Sequence, residues 1–142
     1  MKTRVRAILL DSKNNIIIIR RKKPNNLVYW VFPGGGVEKS DDSLEEALKR
    51  ECLEEVGVLV SVDKLFMEYN FNANKEYFYI CNIISGIIGT GNGPEYKKDN
   101  DYVGTFKVEK YNISDIEKMN LKPEKIKNEF LLCKNHFFSS PQ

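Results

Sequence analysis

Residues 34–58 read GGGVEKSDDSLEEALKRECLEEVGV, and the rest of the chain is organised around them. Three glycines and a polar turn lead into a helical pattern that ends at Gly57, where a helix C-cap is expected. An α-helix advances about 100° per residue, so Glu51, Glu54 and Glu55 fall within one narrow sector of its surface. Carboxylates this close repel one another unless a positive group sits among them. A hard divalent cation is one candidate, because Mg²⁺ and Mn²⁺ take oxygen ligands and commonly bridge to phosphates. A solvated acidic face is the other reading.

The neighbouring residues specify the helix further. Arg50 stands four positions after Glu46 and four before Glu54, so it can pair with either or both and hold a carboxylate in one rotamer. Leu44, Leu48, Cys52 and Val56 recur at every fourth position and form an apolar stripe beside the acidic sector. Ser43 or the pair Asp41–Asp42 supplies the N-cap, and Ser43 with Glu46 has the spacing of a capping box. One side of the helix therefore docks into a core while the adjacent acidic side faces a cleft.

This stretch resembles the Nudix box of the Nudix (MutT-like) hydrolases. That pattern is Gly, five residues, Glu, seven residues, Arg-Glu, an aliphatic, any residue, Glu-Glu, any residue, Gly, an aliphatic. With Gly36 as its first glycine the box spans residues 36–58, and Arg50, Glu51, Glu54, Glu55, Gly57 and Val58 fall in register. Asp42 stands where the family usually has Glu, and Cys52 takes an aliphatic place, which suits a small residue that is often buried. The resemblance implies an α/β/α sandwich around a mixed sheet. It also implies hydrolysis of a nucleoside diphosphate linked to a further moiety, with Mg²⁺, or Mn²⁺ in its place, held by Glu51, Glu54 and Glu55. In the family a backbone carbonyl of the glycine segment also ligates the metal, which points to Gly35 here, with Gly34 next. Arg50 is then an orienting partner. A further acid commonly stands before the last strand as ligand or general base; Glu95 is the first choice, ahead of Asp99 and Asp101.

The 142 residues suffice for one domain, residues 1–142, with a single sizeable core. An apolar fraction of 42% with 30% charged residues is that of a soluble globular protein, and a net charge of +2 does not argue for nucleic acid. No apolar run is long enough to span a membrane, and Lys2, Arg4 and Arg6 alternate with other residues where a signal peptide would stand, so a cytoplasmic protein is expected. Cys52, Cys81 and Cys133 are odd in number and widely spaced, and read as reduced core residues. His136 has no partner motif and no chemical role is expected of it.

The flanking segments suit an α+β protein. Residues 3–10 and 16–20 read as two buried strands around a turn at 11–15, and 29–32 as a short aromatic strand feeding the glycine loop. The basic run 20–23 reads equally as a phosphate contact or a solvated strand end. Residues 58–71 and 77–88 read as strands joined at 72–75; the second places Tyr77, Tyr79 and Cys81 on one face and Phe78, Ile80 and Asn82 on the other. Either aromatic set could stack on a base, although core packing is the commoner fate. Residues 89–101 form a long glycine-rich loop, 102–108 a strand, 113–117 a short helix, and Pro123 opens a helix to about residue 138.

Specificity is not written in the box. The family implies nucleoside triphosphates, ADP-ribose and other nucleotide sugars, dinucleoside polyphosphates or capped RNA ends. A short chain favours a small soluble nucleotide over nucleic acid, and a homodimer is open. A non-catalytic nucleotide- or protein-binding module is the alternative function, but such relatives usually lose ligand glutamates, and all three stand here.

Overall fold

Two aliphatic runs, residues 7–10 and 16–19, are buried throughout, as central strands covered on both faces must be. In the computed structural model, which describes residues 2–91 and 105–137, they lie in β1 (Lys2–Leu10) and β2 (Asn15–Lys22). There follow β3 (Val28–Val31), β4 (Gly34–Gly36), α1 (Leu44–Glu55), β5 (Val58–Phe71), β6 (Asn74–Gly86) and β7 (Thr105–Asn112). A 3-10 turn (Ile113–Lys118), β8 (Leu121–Lys122), α2 (Glu124–Cys133) and a second 3-10 turn (Lys134–His136) complete the described chain.

The sheet is mixed and forked. β1 and β2 pair only at Leu9↔Ile17 and Leu10↔Ile16, next to their turn, and then part. Past the fork β4 takes the freed edge of β1, from Arg4↔Gly36 to Arg6↔Gly34, while β3 takes that of β2. On its other edge β1 runs parallel to β6, and β6 is antiparallel to β5. β7 lies antiparallel along the whole of β2, and β8 is parallel to β3. The glycine segment, read from sequence as a loop, is thus a short strand lodged in the fork. Glycines are poor strand formers by propensity, and the free edge of β1 overrides that preference.

Period-two alternation divides the core. Val5, Ala7, Leu9, Ile17, Ile19, Tyr79 and Cys81 face α1; Ile8, Leu10, Ile16, Ile18, Phe78 and Ile80 face α2 and the first 3-10 turn. Helices on opposite faces of a mixed sheet give the expected α+β sandwich. Phe78 and Tyr79 are buried, so these rings of β6 belong to the core. β6 begins at Asn74, earlier than its periodicity suggests, because Asn72 takes a left-handed φ of 55° and tightens the turn. The run at 20–22 lies inside β2, paired to β3 and β7. β7 extends four residues beyond the expected strand, to Asn112, whose side chain caps the 3-10 turn by accepting the Ser114 N–H at 3.0 Å. The last helix stops at Cys133.

Cys52 and Cys81 are buried free thiols, and burial pushes both up, Cys81 to about 12, so they stay protonated. Cys133 departs from the core reading: it lies in the last turn of α2 and is only partly covered. Among the described residues no helix is long and apolar enough to cross a membrane.

The buried ammonium of Lys127 ties α2 to the turn before it. It donates to the Glu117 carbonyl at 3.1 Å and the Met119 carbonyl at 3.0 Å, where a cation meets orphan carbonyls favourably. Lys127→Ala removes both bonds and should lower unfolding stability by about 1–3 kcal/mol, read from denaturant melts. Lys125→Ala, exposed one turn-face away, should change it little.

Candidate active site

α1 forms where local chemistry requires. Ser43 at its N-cap accepts the Glu46 N–H at 3.0 Å. At the other end Gly57 has a φ of 90°, and its N–H donates to the carbonyls of Cys52 at 3.0 Å and Leu53 at 3.1 Å. A Cβ on Gly57 would collide with the Thr90 hydroxyl and the Gly91 backbone, so glycine also lets the segment after β6 pass. The stripe packs as expected, with Leu48, Cys52 and Val56 buried and Leu44 partly so.

The acidic sector lies against β4. Glu51 and Glu55 are only 7% and 3% exposed, whereas the Glu54 side chain is 34% exposed. Glu55 Oε1 accepts the Gly34 N–H at 3.3 Å. A Cβ on Gly35 would stand 2.6–2.7 Å from the Glu51 carboxyl atoms, so a side chain at that position would displace the carboxylate.

Burying carboxylates is costly unless positive charge and hydrogen bonds offset the lost water. Arg50 supplies both, using all five of its N–H donors. Nε and Nη2 grip Asp41 through Oδ1 and Oδ2, each at 2.9 Å, and Nη2 also donates to the Gly36 carbonyl at 3.1 Å. Nη1 donates to Glu51 at 3.0 Å and to Glu54 at 3.2 Å. This setting pushes the guanidinium pKa further upward, with the Asp41 hydrogen bond the largest cause, so its charge is permanent.

Of the two sequence-expected partners of Arg50, Glu54 is one and Glu46 is not. Glu46 reaches Lys49 at 3.4 Å, while the fork-to-fork pair with Asp41 claims the guanidinium. Spacing gave no signal for Asp41, since the box pattern counts to Asp42. The turn decides: Glu38 N–H donates to Asp41 Oδ2 at 2.8 Å and Asp41 N–H to the Glu38 carbonyl at 3.0 Å, which aims residue 41 at the helix. Asp42 is exposed.

Glu51, Glu54, Glu55 and Arg50 thus come together with the glycine strand. Among the described residues no three acidic, cysteine or histidine side chains stand in metal-holding geometry, and Arg50 stands between Glu51 and Glu54. The donor set is nonetheless all oxygen, and Gly35 leaves open the space beside Glu51 that a Cβ would fill. These donors fit a hard divalent cation. Glu95, Asp99 and Asp101 lie outside the described residues, as does the side chain of His136.

One feature had no signal in the sequence. A cavity of about 620 Å³ opens beside Glu51, bounded by the start of β1 and the segment after β4; Lys2, Arg4 and Lys39 line it. Arg6, next along β1, is committed elsewhere, to Glu76 at 2.9 Å and the Phe32 carbonyl at 3.3 Å.

The NUDIX domain family model matches residues 1–117, box and sheet together. The chain belongs to the Nudix (MutT-like) hydrolase family. Two 8-oxo-dGTP diphosphatases of Buchnera aphidicola are similar to it. That from the Acyrthosiphon pisum strain is 46% identical over 50 residues, 35% of each chain. That from the Schizaphis graminum strain is 34% identical over 96 residues, 63% of this chain and 73% of the relative. The matched stretch therefore spans about a third of the first relative. Among solved structures, a MutT from work on Aliivibrio salmonicida and Vibrio cholerae superposes with a TM-score of 0.68 at 21% identity, covering 92% of this chain and 96% of its own. An ADP-ribose pyrophosphatase of Streptococcus suis gives 0.66 at 17%, covering 99% and 94%. These likenesses establish the Nudix fold.

In this Nudix chain the hydrogen bond from Arg50 holds the Asp41 carboxyl below its ordinary value of 3.8. A depressed folded pKa contributes stability that is present above the unfolded value and lost as pH falls through the folded one. The difference in melting temperature between wild type and Asp41→Asn should therefore be constant above about pH 5 and shrink below about pH 4, followed by thermal melts across that range.

Proposed function

We propose that this protein hydrolyses a phosphoanhydride bond in a nucleoside diphosphate linked to a further group, with nucleoside triphosphates the first class to test. What carries the reading is the gathering of Glu51, Glu54 and Glu55 at a side-chain-free strand, with Arg50 holding two of them in place. The names of the two Buchnera relatives support the choice of substrate class.

Glu51, Glu54 and Glu55, with the Gly35 carbonyl, would hold Mg²⁺ or Mn²⁺. When bound, the ion neutralises phosphate oxygens and makes water more acidic. The remaining work falls to the chain. Arg50 keeps Glu51 and Glu54 oriented, as partners behind a ligand do. Gly35 leaves free the space beside the Glu51 carboxylate, where ion and substrate would meet the backbone. Glu95 accepts the proton of the attacking water, with Glu51 or Glu55 as the alternative bases inside the box.

Millimolar Mg²⁺ or Mn²⁺ should raise the melting temperature of wild type but not of Glu54→Gln; equal shifts would count against metal binding on α1. Phosphate release should be screened with nucleoside triphosphates, 8-oxo-dGTP, ADP-ribose, nucleotide sugars and diadenosine polyphosphates, before and after phosphatase treatment. Turnover of one class should fall by roughly 10²–10⁴ in Glu54→Gln and in Glu55→Gln. Silence across the panel, with metal still bound, would favour a binding module or capped RNA.

A separate comparison addresses the base. Glu95→Gln should slow turnover more than Asp99→Asn, and the reverse order would remove Glu95 from that role.

A further inference from the structure

Arg4 is half-buried in β1, directly across from Gly36 of β4. Among the described residues its guanidinium has neither an ion pair nor a hydrogen bond, unlike Arg6, which is bound to Glu76, and Arg50, which is saturated. A partly desolvated guanidinium with five free donors is a ready anion receptor. Arg4 lines the cavity of about 620 Å³ together with Lys2 and Lys39, and Glu38 and Glu51 form part of the same wall. That volume lies within the usual range for small-molecule sites, about 300–1,000 Å³. The cavity is therefore bipolar. Lys2, Arg4 and Lys39 bring three cations to its lining, facing the carboxylates of Glu38 and Glu51, the second of which accepts from Arg50 at 3.0 Å.

We propose that this cavity is a polyphosphate subsite, in which Arg4, flanked by Lys2 and Lys39, holds the outer phosphates of a nucleoside triphosphate while the anhydride to be cleaved lies beside Glu51. A terminal phosphate monoester carries roughly two negative charges at neutral pH. A nucleotide sugar carries an uncharged ring at the corresponding place and cannot engage the three cations. The cavity thus ranks triphosphates above nucleotide sugars, a choice the Nudix box does not make. Where the cleaved bond lies rests on the proposed hydrolysis; the anion subsite itself does not.

The test separates the two. Binding of inorganic tripolyphosphate to the intact protein, without divalent metal, is measured by calorimetry for wild type, Arg4→Gln, Arg4→Lys and the remote Lys125→Gln. KM and kcat are then measured with Mg²⁺ for dGTP and for ADP-ribose. Arg4→Gln should weaken tripolyphosphate binding and raise KM for dGTP by about tenfold, the loss of one charge-assisted contact, with kcat nearly unchanged. Arg4→Lys should recover part of both effects, and Lys125→Gln should match wild type. The KM for ADP-ribose should move less than about twofold.

Equal tripolyphosphate affinity in wild type and Arg4→Gln, or no binding to wild type, overturns the subsite. So does a KM that rises equally for both substrates. If neither dGTP nor ADP-ribose turns over yet tripolyphosphate binding depends on Arg4, the subsite stands and the choice of nucleoside triphosphates as substrate falls. If Glu54→Gln abolishes turnover while Arg4→Gln changes nothing, the reverse holds. Circular dichroism of each variant confirms that it is folded.

Discussion

A single guanidinium sets the terms for this site. Glu51 and Glu55 lie almost out of solvent on α1, and Glu54 stands at their flank, so the helix concentrates negative charge where water cannot screen it. Arg50 answers with donors on three sides, toward Asp41, Gly36 and the pair Glu51–Glu54. A lysine could supply the charge but not the planar fork that meets Asp41 at both oxygens. Because the same group grips the turn after β4 and the helix, the carboxylates and the glycine strand are fixed relative to one another. Preorganisation of this kind is what phosphoryl chemistry asks of a protein.

The fork in the sheet supplies the other half of the arrangement. Were β1 and β2 paired along their whole length, the edge occupied by β4 would not exist. Their parting after Leu9 and Leu10 exposes the β1 edge, and the glycines fill it. At Gly34 a side chain would strike the β1 backbone and at Gly35 the Glu51 carboxylate, so these two positions of the strand accept only glycine, while Gly36 faces open space. The same parting leaves the first residues of β1 beside the segment after β4, and the basic cavity follows from that proximity.

The readable features were those carried by local periodicity or by residues with one dominant conformational use. The helix, its Ser43 cap, its Gly57 terminus and the apolar stripe were legible because each rests on contacts three or four residues apart. The two faces of β6 were legible because strand side chains alternate. The Asp41 clamp was not, since a linear pattern places Asp42 in the acidic position, whereas the hydrogen bonds of the turn rotate Asp41 inward. Nor was the β4 strand, whose existence depends on an edge some thirty residues earlier in the chain.

The sequence by itself determined the carboxylate-bearing helix, the sandwich class and the family, because a fixed spacing of carboxylates, arginine and glycines is a local property that survives without coordinates. Only the tertiary structure decided which acid holds Arg50, which carboxylates are buried, and that Arg4, without a partner among the described residues, lines the same cavity as Glu51. These depend on separations of nine to nearly fifty residues, closed by turns and strand pairing, and one-dimensional spacing carries no record of such closures.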